Sequence, residues 1–87
     1  LEHILLKRPW ITQHLNDVAL TLQQPELILE GAHGELLAVR QFEHLLGGKS
    51  LVVVYRVRGG EGFIITVYPT SDVDKVARRK VVVWRQR

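Results

Sequence analysis

Cysteine and methionine are both missing from this chain of 87 residues. Without a thiol there is no disulfide framework, no thiolate metal site and no cysteine nucleophile, a composition suited to a reducing compartment. Long apolar runs are missing too. A membrane-spanning helix needs roughly 20 consecutive apolar residues, whereas the longest stretches here, "LVVVY" from Leu51 and "FIITVY" from Phe63, have the length of strands. The opening "LEHILLKRPW" lacks the basic start, apolar core and small-residue cleavage site of a secretion signal. Aromatic residues are few, and no repeat, low-complexity tract or linker divides the chain. These absences point to one small domain over residues 1–87, placed in the cytoplasm and without a membrane partner. The start at Leu1, with no methionine anywhere, is what a piece of a longer protein would show.

What is present is enough apolar material, 46% of residues, for a single thin core. Charge is unevenly spread. Residues 1–48 carry Lys7, Arg8 and Arg40 against six carboxylates, a balance of −3, while residues 49–87 carry nine lysines and arginines against three carboxylates, a balance of +6. Such asymmetry produces a field that attracts polyanions, nucleic acid among them.

The order of elements follows from periodicity and breakers. A short helix over residues 2–7 is stopped by Pro9, because the residue before a proline is driven out of the helical region. A second helix spans about Trp10 to Gln24, with Ile11, Leu15, Val18 and Leu22 as its apolar stripe and Pro25 as its stop. Strands follow: "LILE", then the turn "GAHG", then a segment from Glu35 that reads as strand although "VRQFEHLL" also fits a helix. After Gly47-Gly48 come Leu51–Val57 and Phe63–Tyr68, two β-branched segments flanking "RGGEG", hence antiparallel partners, with Pro69 ending the second. Ser71 or Asp72 caps a helix through "VDKVARRK", and "VVVW" at Val81–Trp84 fits strand or buried helix. The fold expected is α+β: N-terminal helices packed on one face of a short antiparallel sheet, with a C-terminal helix. A short sheet also leaves an edge strand, through which a homodimer is possible.

Among groups that could do chemistry, only histidine exchanges protons near neutral pH without perturbation. His3, His14, His33 and His44 show no i,i+4 pairing and no metalloprotease pattern, so no metal ion or other cofactor is expected. Arg40 and Arg56 interrupt apolar strands, where each is either a solvent-side residue or a fork for phosphate. Strand alternation puts Arg56 with Val52 and Val54, Arg40 with Leu36, Ala38 and Phe42, and Thr66 and Tyr68 with Ile64. Lys75, Arg78, Arg79 and Lys80 form either a solvated helix face or a track for a nucleic-acid backbone. Trp10 and Trp84 fit core positions better than base stacking.

Read in order, "HILLKRP", "LTLQQPELI", "LAVR", "LVVVYRV" and "FIITVYPTSD" give the chain a resemblance. From about His3 to Trp84 it resembles phage-type members of the barnase–EndoU–colicin–RelE-like superfamily, small helix-then-sheet domains assigned as metal-independent ribonuclease toxins. The resemblance implies catalytic roles for His3, Arg40, Thr66 and Tyr68, with Pro25 to Ile28 matching the "Pro-x-x-Ile" that follows the second helix. It implies RNA as substrate, free or on the ribosome, and an antitoxin or immunity protein as partner. The lysine-rich stretches that many RelE-like toxins carry near these strands are absent. The chemistry implied is attack of a ribose 2′-OH on the adjacent phosphate, with His3 as acid or base, Arg40 clamping the phosphorane and Thr66 positioning it. A proton-transfer partner for His3 is not evident. Two other classes fit the same residues. One is a non-catalytic nucleic-acid-binding module using Arg56, Lys75, Arg78, Arg79 and Lys80, and the other is a protein-interaction module. A metal-dependent nuclease fits poorly, since Asp17, Asp72 and Asp74 lie in different elements.

Overall fold

The computed structural model describes residues 13–45 and 47–87. The helix expected over residues 2–7, and His3 with it, lies outside the described residues. Helix α1 runs Leu15–Gln23 after a 3₁₀ turn at residues 13–14. Strands β1 (Leu27–Glu30), β2 (Leu36–Gln41), β3 (Ser50–Arg58) and β4 (Glu61–Thr70) form a meander. Helix α2 (Val73–Ala77) then carries the chain back across the sheet to β5 (Val81–Arg85), which pairs with β1. The sheet order is β4-β3-β2-β1-β5, every neighbouring pair antiparallel. The result is a small α+β domain with a helix near its C-terminus, as the periodicity implies.

Both faces of the sheet are covered, where helical cover on one face was expected. Val18 of α1 packs on Ala38, Leu51, Val53 and Val67, with Phe42 and Leu45 from the β2–β3 loop. On the other face, Val73, Val76 and Ala77 of α2 pack against Leu27, Leu29, Leu37, Val39, Val52 and Val54. This explains the unbroken run in β3. Leu51, Val52, Val53 and Val54 are all buried, whereas a strand in a one-sided sheet would alternate apolar with polar.

Three local readings are corrected by the packing. The buried side of α1 is Val18 and Thr21, while Leu15 and Leu22 are each 37% exposed. Thr21 is tolerated inside because its hydroxyl donates to the Asp17 carbonyl at 2.7 Å, the back-bond that lets a threonine enter an apolar face. Pro69 does not stop β4, which runs on to Thr70. A proline lacks only a donor, and β4 is an edge strand with one side free of ladder bonds. Finally, Ile65 is an extra residue: Val54 faces Thr66 while its neighbour Tyr55 faces Ile64. This bulge breaks the alternation. Ile64 packs with the α1-side core, and Thr66 and Tyr68 stand on the α2 side.

Turn chemistry fixes the remaining corners. The β3–β4 turn is Gly59-Gly60, both with positive φ (57° and 83°), the pattern of a tight two-residue hairpin. Asp72 caps α2 by accepting the Lys75 N–H at 3.0 Å. The helix ends sooner than "VDKVARRK" suggests, and Arg79 takes a left-handed φ of 61° before "VVVW" resolves as strand. That strand is an exposed edge, with Val81, Val82, Val83 and Trp84 between 43% and 62% exposed.

Candidate functional site

On the α1 side, Asp17 is the centre of a polar cluster. It sits in the first turn of α1, and one carboxylate oxygen, Oδ2, lies 3.1 Å from His14 Nδ1 and 2.9 Å from His44 Nε2. Asp17 is 15% exposed and His44 62% exposed. Burial pushes the Asp17 carboxyl up, but hydrogen bonds from His44 and His14 outweigh it and hold the group below the ordinary carboxylate range. With Nε2 committed to the carboxylate, Nδ1 is the nitrogen of His44 left to exchange a proton. An aspartate that fixes the tautomer and angle of an exposed imidazole is the arrangement general acid–base chemistry asks for.

The described residues of the loop holding His44 are anchored on the core and on β3. Phe42 and Leu45, on either side of it, are buried, and Gly48 and Lys49 donate backbone hydrogen bonds back to Leu45. Gly47 and Gly48 take φ of 83° and 91°, which lets the chain turn back into β3 so tightly. Arg40 stands beside this loop. Its guanidinium lies 5.8 Å from the Phe42 ring centroid, and the same ring meets His44 edge-on at 5.4 Å. Arg40 Nη1 donates to the Gln24 carbonyl at 2.7 Å, closing the C-terminal end of α1, and its Nε is buried with no hydrogen-bond partner among the described residues. The α1 side thus carries an imidazole–carboxylate–imidazole group and a guanidinium sharing one aromatic neighbour.

The other expected site residues go elsewhere. Thr66 and Tyr68 are on the α2 side, so the sheet itself separates them from Arg40, and one phosphate cannot touch both sets. Burial pushes the Tyr68 hydroxyl up. Arg56 shares the α2 side by strand alternation from Val52 and Val54. Arg56 Nη1 donates to the His33 carbonyl at 3.0 Å, and Glu35 lies 4.0 Å from Nη2. The carboxyl of Glu35, held by its own backbone N–H, is kept below the ordinary range against a smaller opposing effect of burial.

Topology gathers the cations at one end of this face. Val81 opens β5 opposite Glu30, the last residue of β1, so Arg78, Arg79 and Lys80 emerge beside the β1–β2 turn. Tyr55 faces Leu36 at the start of β2, so Arg56 and Arg58 project past the same end. Of this set Lys80 is turned back, donating from Nζ to the Val76 carbonyl at 2.8 Å. Lys75 is exposed on α2. Phe63, 50% exposed, is the direct cross-strand neighbour of Arg56 and lines a shallow depression of about 190 Å³ with Arg56 and Arg58.

The histidine–aspartate cluster was only half visible in the sequence. His14 and Asp17 are three apart on a helix, a readable pair, but Asp17 and His44 are 27 residues apart and only the fold joins them. Phe63 was hidden by the bulge, which reassigns its face. Among the described residues no group of histidine and carboxylate side chains is arranged to hold a metal ion, and no helix is long and apolar enough to cross a membrane. No protein-family model, curated protein or solved structure matches the chain.

Proposed function

We propose that this chain is a metal-independent endoribonuclease of the toxin type, cutting RNA through the ribose 2′-OH. The observation that carries the reading is the exposed His44 imidazole held by Asp17, with Phe42 as the aromatic neighbour it shares with Arg40. His44 supplies a proton-transfer group that the sequence alone did not offer on the face that carries Arg40. In the reaction, His44 Nδ1 takes the 2′-OH proton as the oxygen attacks phosphorus. The bond from phosphorus to the 5′ oxygen breaks, and an acid returns a proton to that oxygen. The products are a 2′,3′-cyclic phosphate and a 5′-OH. Arg40 offsets charge gathering on the non-bridging oxygens. Asp17 positions His44 through the hydrogen bond to Nε2. The resemblance gives His3 as acid or base, which makes it the candidate for the second proton transfer, and likeness to phage-type toxins makes an antitoxin or immunity protein the expected partner.

The chemistry of the broken ends tests this. A mixed RNA incubated with the chain in EDTA should yield 2′,3′-cyclic phosphate ends, and Arg40→Ala should lose most of the cleavage. RNA left intact, both free and with ribosomes added, would contradict the catalytic reading. A second reading, RNA binding without cleavage, is favoured by the band of cations on the opposite face. It predicts bound, uncut RNA in the same experiment.

A further inference from the structure

The proton-transfer cluster and the cationic band lie on opposite faces and at opposite ends of the sheet, so they cannot serve the same nucleotide. From the depression between Arg56, Arg58 and Phe63 we infer a separate subsite for one unpaired base of single-stranded RNA. The inference rests on RNA being the ligand, as proposed above, and deepens it by naming the form of RNA.

The geometry of the hairpin end supports it. Phe63 sits opposite Arg56 in the β3–β4 register, on the same side of the sheet, with half its surface in solvent. Leaving a large ring exposed beside guanidinium groups has little value for the core, since Phe63 is absent from both buried clusters. Its value for an unpaired base is direct. A ring stacks on any base without reading its sequence, and arginine adds a cationic plane and a phosphate contact. Arg56 is held in place by the His33 carbonyl at 3.0 Å. The carboxylates near the depression, Glu35 beside Arg56 and Glu61 opposite Arg58, offset part of the charge. Arg78 and Arg79 restore it at the other side of this end, where β5 lies three strands from β3, a span of about 14 Å at the usual strand spacing. A strand stacked on Phe63 can run its backbone along that band. A duplex keeps its bases stacked inside and offers Phe63 nothing.

Binding can be read independently of cleavage with 2′-O-methyl RNA, which has no nucleophile. Fluorescence anisotropy would compare a 10-nucleotide single strand, the same sequence as a duplex, and heparin. The expected result is tighter binding of the single strand than of the duplex. Phe63→Ala should weaken the single strand about tenfold, Phe63→Trp should restore it, and heparin affinity should be unchanged in both. Arg56→Ala and Arg58→Ala should weaken both ligands and flatten the salt dependence. Equal affinity for strand and duplex, or a Phe63→Ala form that binds the strand as the parent does, would overturn the subsite while leaving RNA binding standing. No binding of either RNA would overturn the subsite and the RNA reading together.

Discussion

Asp17 ties the stability of the fold to pH through the two imidazoles that meet its carboxylate. Its folded-state pKa is depressed because His44 and His14 donate to it and outweigh the cost of burial. A depressed carboxylate pKa means the unfolded chain binds more protons over the interval between the two values, so stability rises with pH there. The contribution is fully present above the ordinary aspartate pKa and is lost as pH falls through the lower, folded value. Urea midpoints measured from pH 6 down through the acid range should therefore drop less steeply in Asp17→Asn than in the parent. Parallel curves would mean the two imidazoles contribute nothing through this group. Arg40 belongs to the same scale. Its hydrogen bond to Gln24 and its packing on Phe42 make it a structural residue as well as a cation. Arg40→Ala should for that reason be compared with Arg40→Lys, which keeps the charge and loses the fork.

Elements are held by devices of a few atoms, and these give sharper predictions than the core does. Asp72→Ala removes the cap of α2 and should cost about 1 kcal/mol, seen as a melting point lower by several degrees. At the β3–β4 turn, Gly59→Asn should be neutral or slightly stabilising, because asparagine accepts positive φ and leaves fewer states open to the unfolded chain. Gly60→Val at φ 83° should destabilise by more than 1 kcal/mol, on the order of the penalty a branched side chain meets there. Chemical denaturation of the three variants checks all of these. Such turns were plain in the sequence, since "GG" between β-branched runs has one economical reading. Strand β3 was plain for the same reason. The faces of β4 were not, because a bulge at Ile65 has no composition signal and reverses every side chain beyond it. That one residue separated Thr66 from Arg40, whereas the pairing of Phe63 with Arg56 follows from the two-residue turn at Gly59-Gly60. The tail was ambiguous because "VVVW" suits either state, and its strand form was decided by the free edge of β1 that it completes.

At the scale of the whole molecule, two helices on opposite faces divide the surface into different chemistries. The α1 side carries the carboxylate flanked by imidazoles, and the α2 side carries Arg56, Arg58 and Lys75. Charge asymmetry was legible from residue counts, but its position was not, because the end of the sheet that collects Arg56, Arg58, Arg78 and Arg79 is set by strand register. The histidine–aspartate cluster was legible only in part, since His44 reaches Asp17 through a loop whose described residues rest on Phe42, Leu45 and two left-handed glycines. Under the proposed function His44 is the proton-transfer group and Asp17 the residue that aims it. The measurement that tests this most directly is single-turnover cleavage of RNA in EDTA across pH, for the parent, His44→Ala and Asp17→Asn. His44→Ala should lose about 10²- to 10⁴-fold in rate, and Asp17→Asn should show a smaller loss and a displaced pH profile. Parent-like rates and an unmoved profile in both variants would contradict it.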